Sequence, residues 1–219
     1  MMKKVFILNE NPSIGSKVIG DMRDVQIQTD RKKFRENMER LGEILAYELS
    51  KSLEYVEQEV ETPLGSATVQ LPKHRIVIGT ILRAGLPLHQ GVLNIFDQAD
   101  NAFISAYRKH HRDGSFDIHM EYLSCPDLTD ATLILTDAML ATGASVHLAL
   151  LKLLENGLPA SVHLVTAIGS AEGLDYIKRK HPNLKIWIGA VDDELTAKSY
   201  IVPGLGDAGD LSYGEKLQS

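Results

Sequence analysis

Residues 133–145 constrain the fold of this chain more than any other stretch. They begin with an apolar run that predicts a strand buried on both faces, and Asp137 is expected where that strand ends. The small residues of 141–145 follow, and from residue 146 to residue 154 the apolar spacing predicts a helix. In α/β proteins this order of elements forms an anion cradle, because backbone N–H groups and the helix N-terminus attract a phosphate.

This cradle differs from the two best-known nucleotide-binding turns. A P-loop needs a lysine after its second glycine and a dinucleotide-binding turn needs three spaced glycines, whereas this stretch has Gly143 alone and no lysine. Thr142 and Ser145 add hydroxyl donors. The turn by itself also fits an ordinary strand-to-helix connection. With Asp137 before it, the pattern suits a phosphorylated sugar whose hydroxyls the carboxylate can hold.

Three widely separated stretches resemble one known family. Residues 137–145 (Asp-Ala-Met-Leu-Ala-Thr-Gly-Ala-Ser) resemble the motif with which type I phosphoribosyltransferases bind 5-phosphoribosyl-1-pyrophosphate (PRPP), in a form similar to that of the uracil phosphoribosyltransferase family. Residues 81–86 and 200–210 match the same family, and the likeness covers nearly the whole chain. It implies the transfer of the phosphoribosyl group from PRPP to uracil, which gives uridine 5′-monophosphate (UMP) and diphosphate.

The resemblance also implies a fold and its parts. The expected fold is α/β, with a mostly parallel doubly wound sheet in a single domain over residues 1–219. A protruding β-arm is expected at about 56–71 and a C-terminal hood over the base at about 192–219.

The matching motifs assign site residues by their positions. The expected catalytic residues are Asp137, Arg83 and Arg108. The expected PRPP-binding residues are Arg83, Arg108, Asp137, Ala138, Met139, Leu140, Ala141, Thr142, Gly143, Ala144, Ser145 and Asp207, and the expected uracil-binding residues are Ile201, Gly206, Asp207 and Ala208. Mg²⁺ is the implied cofactor, carried mainly by the diphosphate, so no metal site made of side chains is expected.

Three positions depart from the usual family pattern. Ala138 stands where the family usually has proline, Ala144 where it has glycine, and Leu211 where it has arginine. Ala144 would be strained if its position required a positive φ, which costs a non-glycine residue about 1 kcal/mol or more. Leu211 places contacts of the C-terminal tail in question.

The periodicity of the rest of the chain predicts alternating strands and helices, as in a doubly wound sheet. Residues 75–82 form a strand directly before Arg83, and spacing alone leaves Arg83 open between a solvated loop tip and a ligand contact. Ligands of such sheets bind at the carboxyl ends of the strands, where Arg83 and Asp137 are both expected. Residues 11–28 are predicted to be irregular, and residues 200–209 to be neither helix nor strand.

Two charged segments have alternative interpretations. The basic loop 108–115 is either a solvated hairpin tip or a lid with which Arg108 and Lys109 cover the diphosphate. The adjacent His110 and His111 would point to opposite faces of a strand, which argues against a zinc site. The acidic run 192–194 is predicted to be a solvated turn, with a role at the magnesium–diphosphate group as the alternative.

Composition limits the binding partners and the cellular location that are expected for this chain. The net charge of −6 disfavours nucleic acid and anionic membranes as partners. The single cysteine, Cys125, cannot form an internal disulfide, which favours a cytoplasmic location, and no apolar run reaches the roughly 18 residues that span a bilayer. The arm would be poorly covered within one chain, which predicts a homodimer or homotetramer. The resemblance adds GTP as a candidate effector.

Three other functions stay open at this stage. The first is a phosphoribosyltransferase for another nucleobase, because a few hydrogen bonds decide the choice of base. The second is a non-catalytic RNA-binding regulator on the same fold, which would need a basic face. The third is a structural remnant whose site has decayed, to which Ala144 lends support.

Overall fold

The computed structural model describes residues 4–110 and 116–216, and for residues 106–110 and 116–121 it describes the backbone alone. Its strands are β1 (Val5–Ile7), β2 (Tyr55–Thr62), β3 (Gly65–Pro72), β4 (Ile76–Leu82), β5 (Asp100–His110), β6 (Phe116–Ser124), β7 (Thr132–Leu140), β8 (Ser161–Ser170), β9 (Lys185–Asp192), β10 (Glu194–Leu195) and β11 (Ile201–Val202). Its α-helices are α1 (Ile14–Arg23), α2 (Arg31–Ser50), α3 (Leu86–Ile95), α4 (Ala144–Leu153), α5 (Ala171–Lys180) and α6 (Ala208–Tyr213). Within these ranges no helix is both long and apolar enough to cross a lipid bilayer.

The central sheet has seven strands in the order β1-β9-β8-β7-β4-β5-β6. All neighbouring strands are parallel except β5 and β6, which are antiparallel, so the predicted mostly parallel α/β sheet is confirmed. After β4 the chain adds β5 and β6 on one side, and from β7 onward it adds strands on the other. The strand order therefore reverses between β4 and β7, where open α/β sheets form their ligand crevice.

Two apolar layers cover the two faces of this sheet. Successive residues of β7 alternate between them, because side chains of a strand point to opposite faces. Leu133 and Leu135 pack with α4 and α5, whereas Ile134 packs with α1, α2 and α3. Helix α2 is the longest of the described helices, and one of its faces is buried. That face includes Phe34, Met38, Leu41, Leu45 and Leu49.

The arm is a separate two-stranded antiparallel ribbon made of β2 and β3, as predicted. Directly opposite residues share a face of such a ribbon. Val56 lies opposite Leu71 and Val60 opposite Ala67 on one face, with Gln58 opposite Val69 between them, so this face is largely apolar. Val56 and Leu71 are exposed in the isolated chain.

The prediction that residues 11–28 are irregular was wrong, because α1 lies within them. Ser13 begins this helix with a capping box in which Ser16 supplies the second side chain. The usual sequence signal has Glu or Gln at that third helical position, so this box is hard to detect. Val18, Ile19 and Met22 give the helix its buried face.

The hood also contains more regular structure than the sequence suggested. Residues 200–209 were predicted to be neither helix nor strand, yet β11 pairs with β10 and α6 begins at Ala208. These elements are two and six residues long, which is too short for apolar periodicity to reveal them. That residues 1–219 form a single domain stays a prediction.

Candidate active site

The carboxyl end of β7, the turn after it and the start of α4 follow one another as the sequence predicted, and they form the candidate cradle. A small pocket there is lined by Asp137, Met139, Leu140, Ala141, Thr142, Gly143, Ser145 and Val146. The sharp entry into the helix comes from Gly143, whose φ of +80° is in the left-handed region that favours glycine. The N–H groups of the first turn of α4 therefore lie beside a carboxylate, at a helix end that attracts anions.

Asp137 lies inside its strand, which corrects the prediction that the strand ends there. Strand β7 continues to Leu140, and Met139 still pairs with Ile168 of β8. The side chain of Asp137 is 9% exposed, so this carboxylate is far less solvated than a strand-end residue would be. The apolar residues after it explain the extension, because they keep pairing with the neighbouring strand.

Two of the predicted cradle residues are absent from the pocket lining. Ala138 is fully buried and packs in the core on the face of the sheet that α1–α3 cover. Ala144 begins α4 with a helical backbone, and its N–H points to Thr142 Oγ1 at 3.4 Å. Because the left-handed residue is Gly143, the alanine at 144 carries no backbone strain of the kind considered from the sequence.

The cradle rests on α5 through contacts that the sequence analysis missed. Ser170 Oγ donates to the carbonyl oxygen of Ala141 at 2.6 Å and accepts from the N–H of Gly173 at 2.9 Å. A Cβ on Gly173 would lie 2.1 Å from the same Ala141 oxygen, so only glycine allows this approach. The signal in the sequence was a serine, Ser170, three residues before Gly173. Ser170 is the N-cap of α5, and its side chain also bonds to the cradle.

Arg83 follows β4 at the same edge of the sheet and faces the hood. Its Nη2 donates to Asp210 Oδ1 at 3.0 Å and its Nη1 to the carbonyl oxygen of Gly214 at 3.4 Å. The side chain is 42% exposed, so the guanidinium is held in place and still open to a ligand. Asp210 was not singled out as a site residue, although it lies in the matched 200–210 segment.

The hood residues assigned to the base have mixed surroundings. Ile201 and Ala208 are buried, and Gly206 has a φ of +93°. Asp207 caps α6, since its Oδ1 accepts from the N–H groups of Gly209 at 2.8 Å and Asp210 at 3.0 Å. Burial raises the pKa of the Tyr213 hydroxyl at the end of α6 above its ordinary value.

The prediction of a solvated turn at 192–194 was wrong for the first of its residues. Asp192 ends β9, is 8% exposed and forms a two-pronged ion pair with Arg23 at 2.7 Å for each contact. It also accepts from the N–H of Gly204 at 2.9 Å. This carboxylate is therefore engaged in holding the hood.

The predicted lid lies only in part within the described residues. Arg108 is in β5, where its backbone pairs with that of Ile118, and its side chain is outside the description. His111 and the loop up to residue 115 are outside it altogether. In the part of the chain that the structure does cover, no three His, Cys, Asp or Glu side chains group closely enough to hold a metal ion.

Comparison with known proteins places the chain in a family. The family model described as uracil phosphoribosyltransferase matches residues 11–214. A uracil phosphoribosyltransferase of Porphyromonas gingivalis is 51% identical over 98% of this chain and 100% of its own, and one of Methanococcus maripaludis is 38% identical over 88% and 83%. A solved structure described as the AQ2163 protein from Aquifex aeolicus superposes with a TM-score of 0.87 at 31% identity, covering 98% of this chain and 100% of that one. The chain therefore belongs to the uracil phosphoribosyltransferase family.

Proposed function

We propose that this chain transfers the phosphoribosyl group of PRPP to uracil, giving UMP and diphosphate, and that the cradle holds the 5′-phosphate. The observation that carries the proposal is the placement of a nearly buried Asp137 in the pocket at the N-terminus of α4, within a chain of this family. The helix N-terminus suits a phosphate, and the carboxylate suits the ribose hydroxyls.

The proposed site residues have separate roles in a single displacement step. A ring nitrogen of uracil forms a bond to the anomeric carbon of the ribose as the bond from that carbon to the diphosphate oxygen breaks, and the proton that this nitrogen carried leaves with the diphosphate or passes to water. Positive charge develops on the sugar ring, as in glycosyl transfer generally, and Asp137 stabilises it. Arg83 and Arg108 neutralise the departing diphosphate, and no covalent enzyme intermediate is required.

Mg²⁺ fits this site as an ion that arrives with the substrate. It keeps several waters and commonly binds one or two carboxylates together with substrate phosphates. Among the described residues there is no ready-made cage of three ligands, and Asp137 offers a carboxylate at the pocket. When bound, the ion would add positive charge to the diphosphate. Arg83 and the cradle would orient that substrate independently of the ion.

Uracil is proposed to bind under the hood through the backbone of residues 201–208. Backbone N–H and C=O groups can pair with the edge of a nucleobase, and glycine permits close approach of the chain to a planar ring. Gly206 provides such a position, since a Cβ built on it would have only Leu211 within 4.0 Å. This choice of base is tested by measuring diphosphate release with uracil, cytosine, orotate and hypoxanthine in parallel.

The central test replaces Asp137 by asparagine, which keeps the shape of the side chain and removes its charge. We expect kcat/KM to fall at least about tenfold, equivalent to about 1.4 kcal/mol of transition-state stabilisation. Asp175→Asn is the control, because Asp175 is an exposed acid on α5. A folded Asp137→Asn protein with the kinetics of the parent would refute the proposed role of this carboxylate.

The arm supports the proposal of a homodimer or homotetramer. Its apolar face, which includes Val56 and Leu71, would be covered if it packed on a second subunit. Light scattering at micromolar concentration tests this, and a monomer would contradict it. A GTP effector and a cytoplasmic location are proposals that rest on the family and on cysteine usage respectively.

A further inference from the structure

Arg23 and Asp192 form a latch between α1 and the carboxyl end of β9. The two guanidinium nitrogens of Arg23 each donate to one carboxylate oxygen of Asp192, both at 2.7 Å. The side chains are 23% and 8% exposed, so this pair is largely shielded from water. We name these two residues the hood latch.

The hood latch holds both backbone polar groups of a single residue, Gly204. Asp192 Oδ2 accepts from the Gly204 N–H at 2.9 Å, and Arg23 Nη1 donates to the Gly204 carbonyl oxygen at 2.8 Å. Gly204 has a φ of +58°, and a Cβ on it would lie 2.1 Å from the carbonyl oxygen of Ile201. The backbone at this point is therefore held in one conformation that only glycine accepts.

The position of Gly204 gives the latch its importance. It lies three residues after Ile201 and two before Gly206, both of which are assigned to uracil. The ladder of β10 and β11 fixes the start of the segment, and the Asp207 cap of α6 fixes its end. The latch fixes the middle of this segment, at Gly204.

Arg23 is itself well oriented. It is the last residue of α1, and its carbonyl oxygen accepts from Gln28 Nε2 at 2.9 Å. Gln28 is 9% exposed, so this bond is shielded as well. Shielded ion pairs contribute little net stability, because desolvation offsets the attraction, and their best-attested use is to select one arrangement.

We propose that Arg23 and Asp192 are positioning residues that set the backbone geometry of the uracil-binding segment. The inference depends on the proposed assignment of residues 201–208 to uracil. A base read by backbone groups is sensitive to displacements well below 1 Å, since hydrogen bonds weaken steeply with poor geometry. The cradle and Asp137 are on other elements, and Asp207, the hood residue also assigned to PRPP, is held separately by its cap of α6, so the latch should affect uracil far more than PRPP.

The main test is the double variant Arg23→Met/Asp192→Leu, which replaces the pair by apolar side chains of similar size. No uncompensated charge remains, but the buried N–H and carbonyl groups of Gly204 lose their partners, so we expect a lower Tm in a protein that still folds. We expect the KM for uracil to rise at least tenfold while the KM for PRPP stays within twofold. Lys17→Ala is the matched control, as it removes an exposed ion pair from the same helix, that with Asp21.

Asp192→Asn serves as the second variant if the double variant fails to fold. It keeps the side-chain shape but turns one acceptor of the guanidinium into a donor, so we expect the same selective rise in the KM for uracil. For either folded variant, an unchanged KM for uracil would overturn the proposal. An equal rise in both KM values would show a general structural role and would overturn it too.

Gly206→Ala separates failure of the latch from failure of the uracil site. It disturbs the backbone at a φ of +93° without crowding, because the nearest atom to the new Cβ is 4.0 Å away. If Gly206→Ala raises the KM for uracil and the latch variants do not, the latch proposal alone is wrong. If none of these variants changes it, the assignment of uracil to this segment is wrong.

Discussion

Gly143→Ala is the most informative single substitution in the cradle. Gly143 combines a left-handed backbone with tight surroundings at the start of α4. A Cβ there would lie 2.9 Å from both Ile177 Cγ1 and Tyr176 Cδ1, and 3.1 Å from the carbonyl oxygen of Gly173. The two side chains can move aside, whereas the Gly173 backbone is held by α5.

The expected cost follows from these contacts. A left-handed φ costs an L-residue about 1 to 2 kcal/mol, and the lower entropy of the unfolded alanine chain offsets about 0.4 to 1 kcal/mol of that. Displacing Ile177 and Tyr176 adds roughly 0.5 to 1.5 kcal/mol of off-rotamer strain. These ranges combine to a net loss of about 0.5 to 3 kcal/mol, and the midpoint of about 2 kcal/mol lowers the Tm by about 4 to 8 °C for a chain of this size.

The same substitution should impair PRPP binding directly. The N–H groups after residue 143 would be displaced, so we expect the KM for PRPP to rise about tenfold, or about 1.4 kcal/mol. The loss of stability cannot produce this rise by itself, because a protein that loses about 2 kcal/mol out of the usual 5 to 15 kcal/mol remains folded. The assays are urea-induced unfolding and steady-state kinetics with PRPP varied.

Gly20→Ala is the control for this experiment. Gly20 is in α1 with nothing within 4 Å of a new Cβ, so the substitution should stabilise the protein by up to about 1 kcal/mol through helix propensity. Its KM for PRPP should not change. A Gly143→Ala protein with the stability and the KM for PRPP of the parent would refute the reasoning about both the backbone and the cradle.

Two further predictions concern stability. Burial lowers the pKa of His163 from 6.5 to about 3. Between these pH values the histidine binds a proton in the unfolded chain but not in the folded one. The free energy of unfolding should therefore fall by up to about 1.4 kcal/mol per pH unit as the pH drops from 6.5 towards 3. Urea unfolding at several pH values should give a shallower dependence for His163→Gln, and identical slopes would contradict this. Asp30 caps α2 by accepting from the N–H groups of Lys32 and Lys33. Asp30→Ala should therefore lower the free energy of unfolding by about 1 kcal/mol in the same assay at pH 7. A loss too small to measure would exclude a contribution from the cap.

The elements that the sequence predicted well are those whose determinants lie within one continuous stretch. The apolar run of β7, the small residues of the turn and the spacing of α4 are consecutive, so the cradle could be placed from the sequence alone. Even there the strand end was misplaced, because a single acid such as Asp137 does not stop a strand whose next residues still pair with β8. The alternation of strands and helices likewise placed Arg83 at the correct edge of the sheet.

Asp192 shows why the rest could not be predicted. Its neighbours Asp193 and Glu194 make the local composition that of a solvated turn. Its partner Arg23 is 169 positions away, at the end of a helix whose own N-terminal signal was weak. No local periodicity reports a pair so distant, because the packing of α1 at the end of β9 decides which cation meets which carboxylate. Most of the residues proposed to bind PRPP form one contiguous motif at 137–145, whereas the residues proposed to position the hood are brought together only by tertiary contacts, so variants of Arg23 test a part of the proposed site that motif matching does not reach.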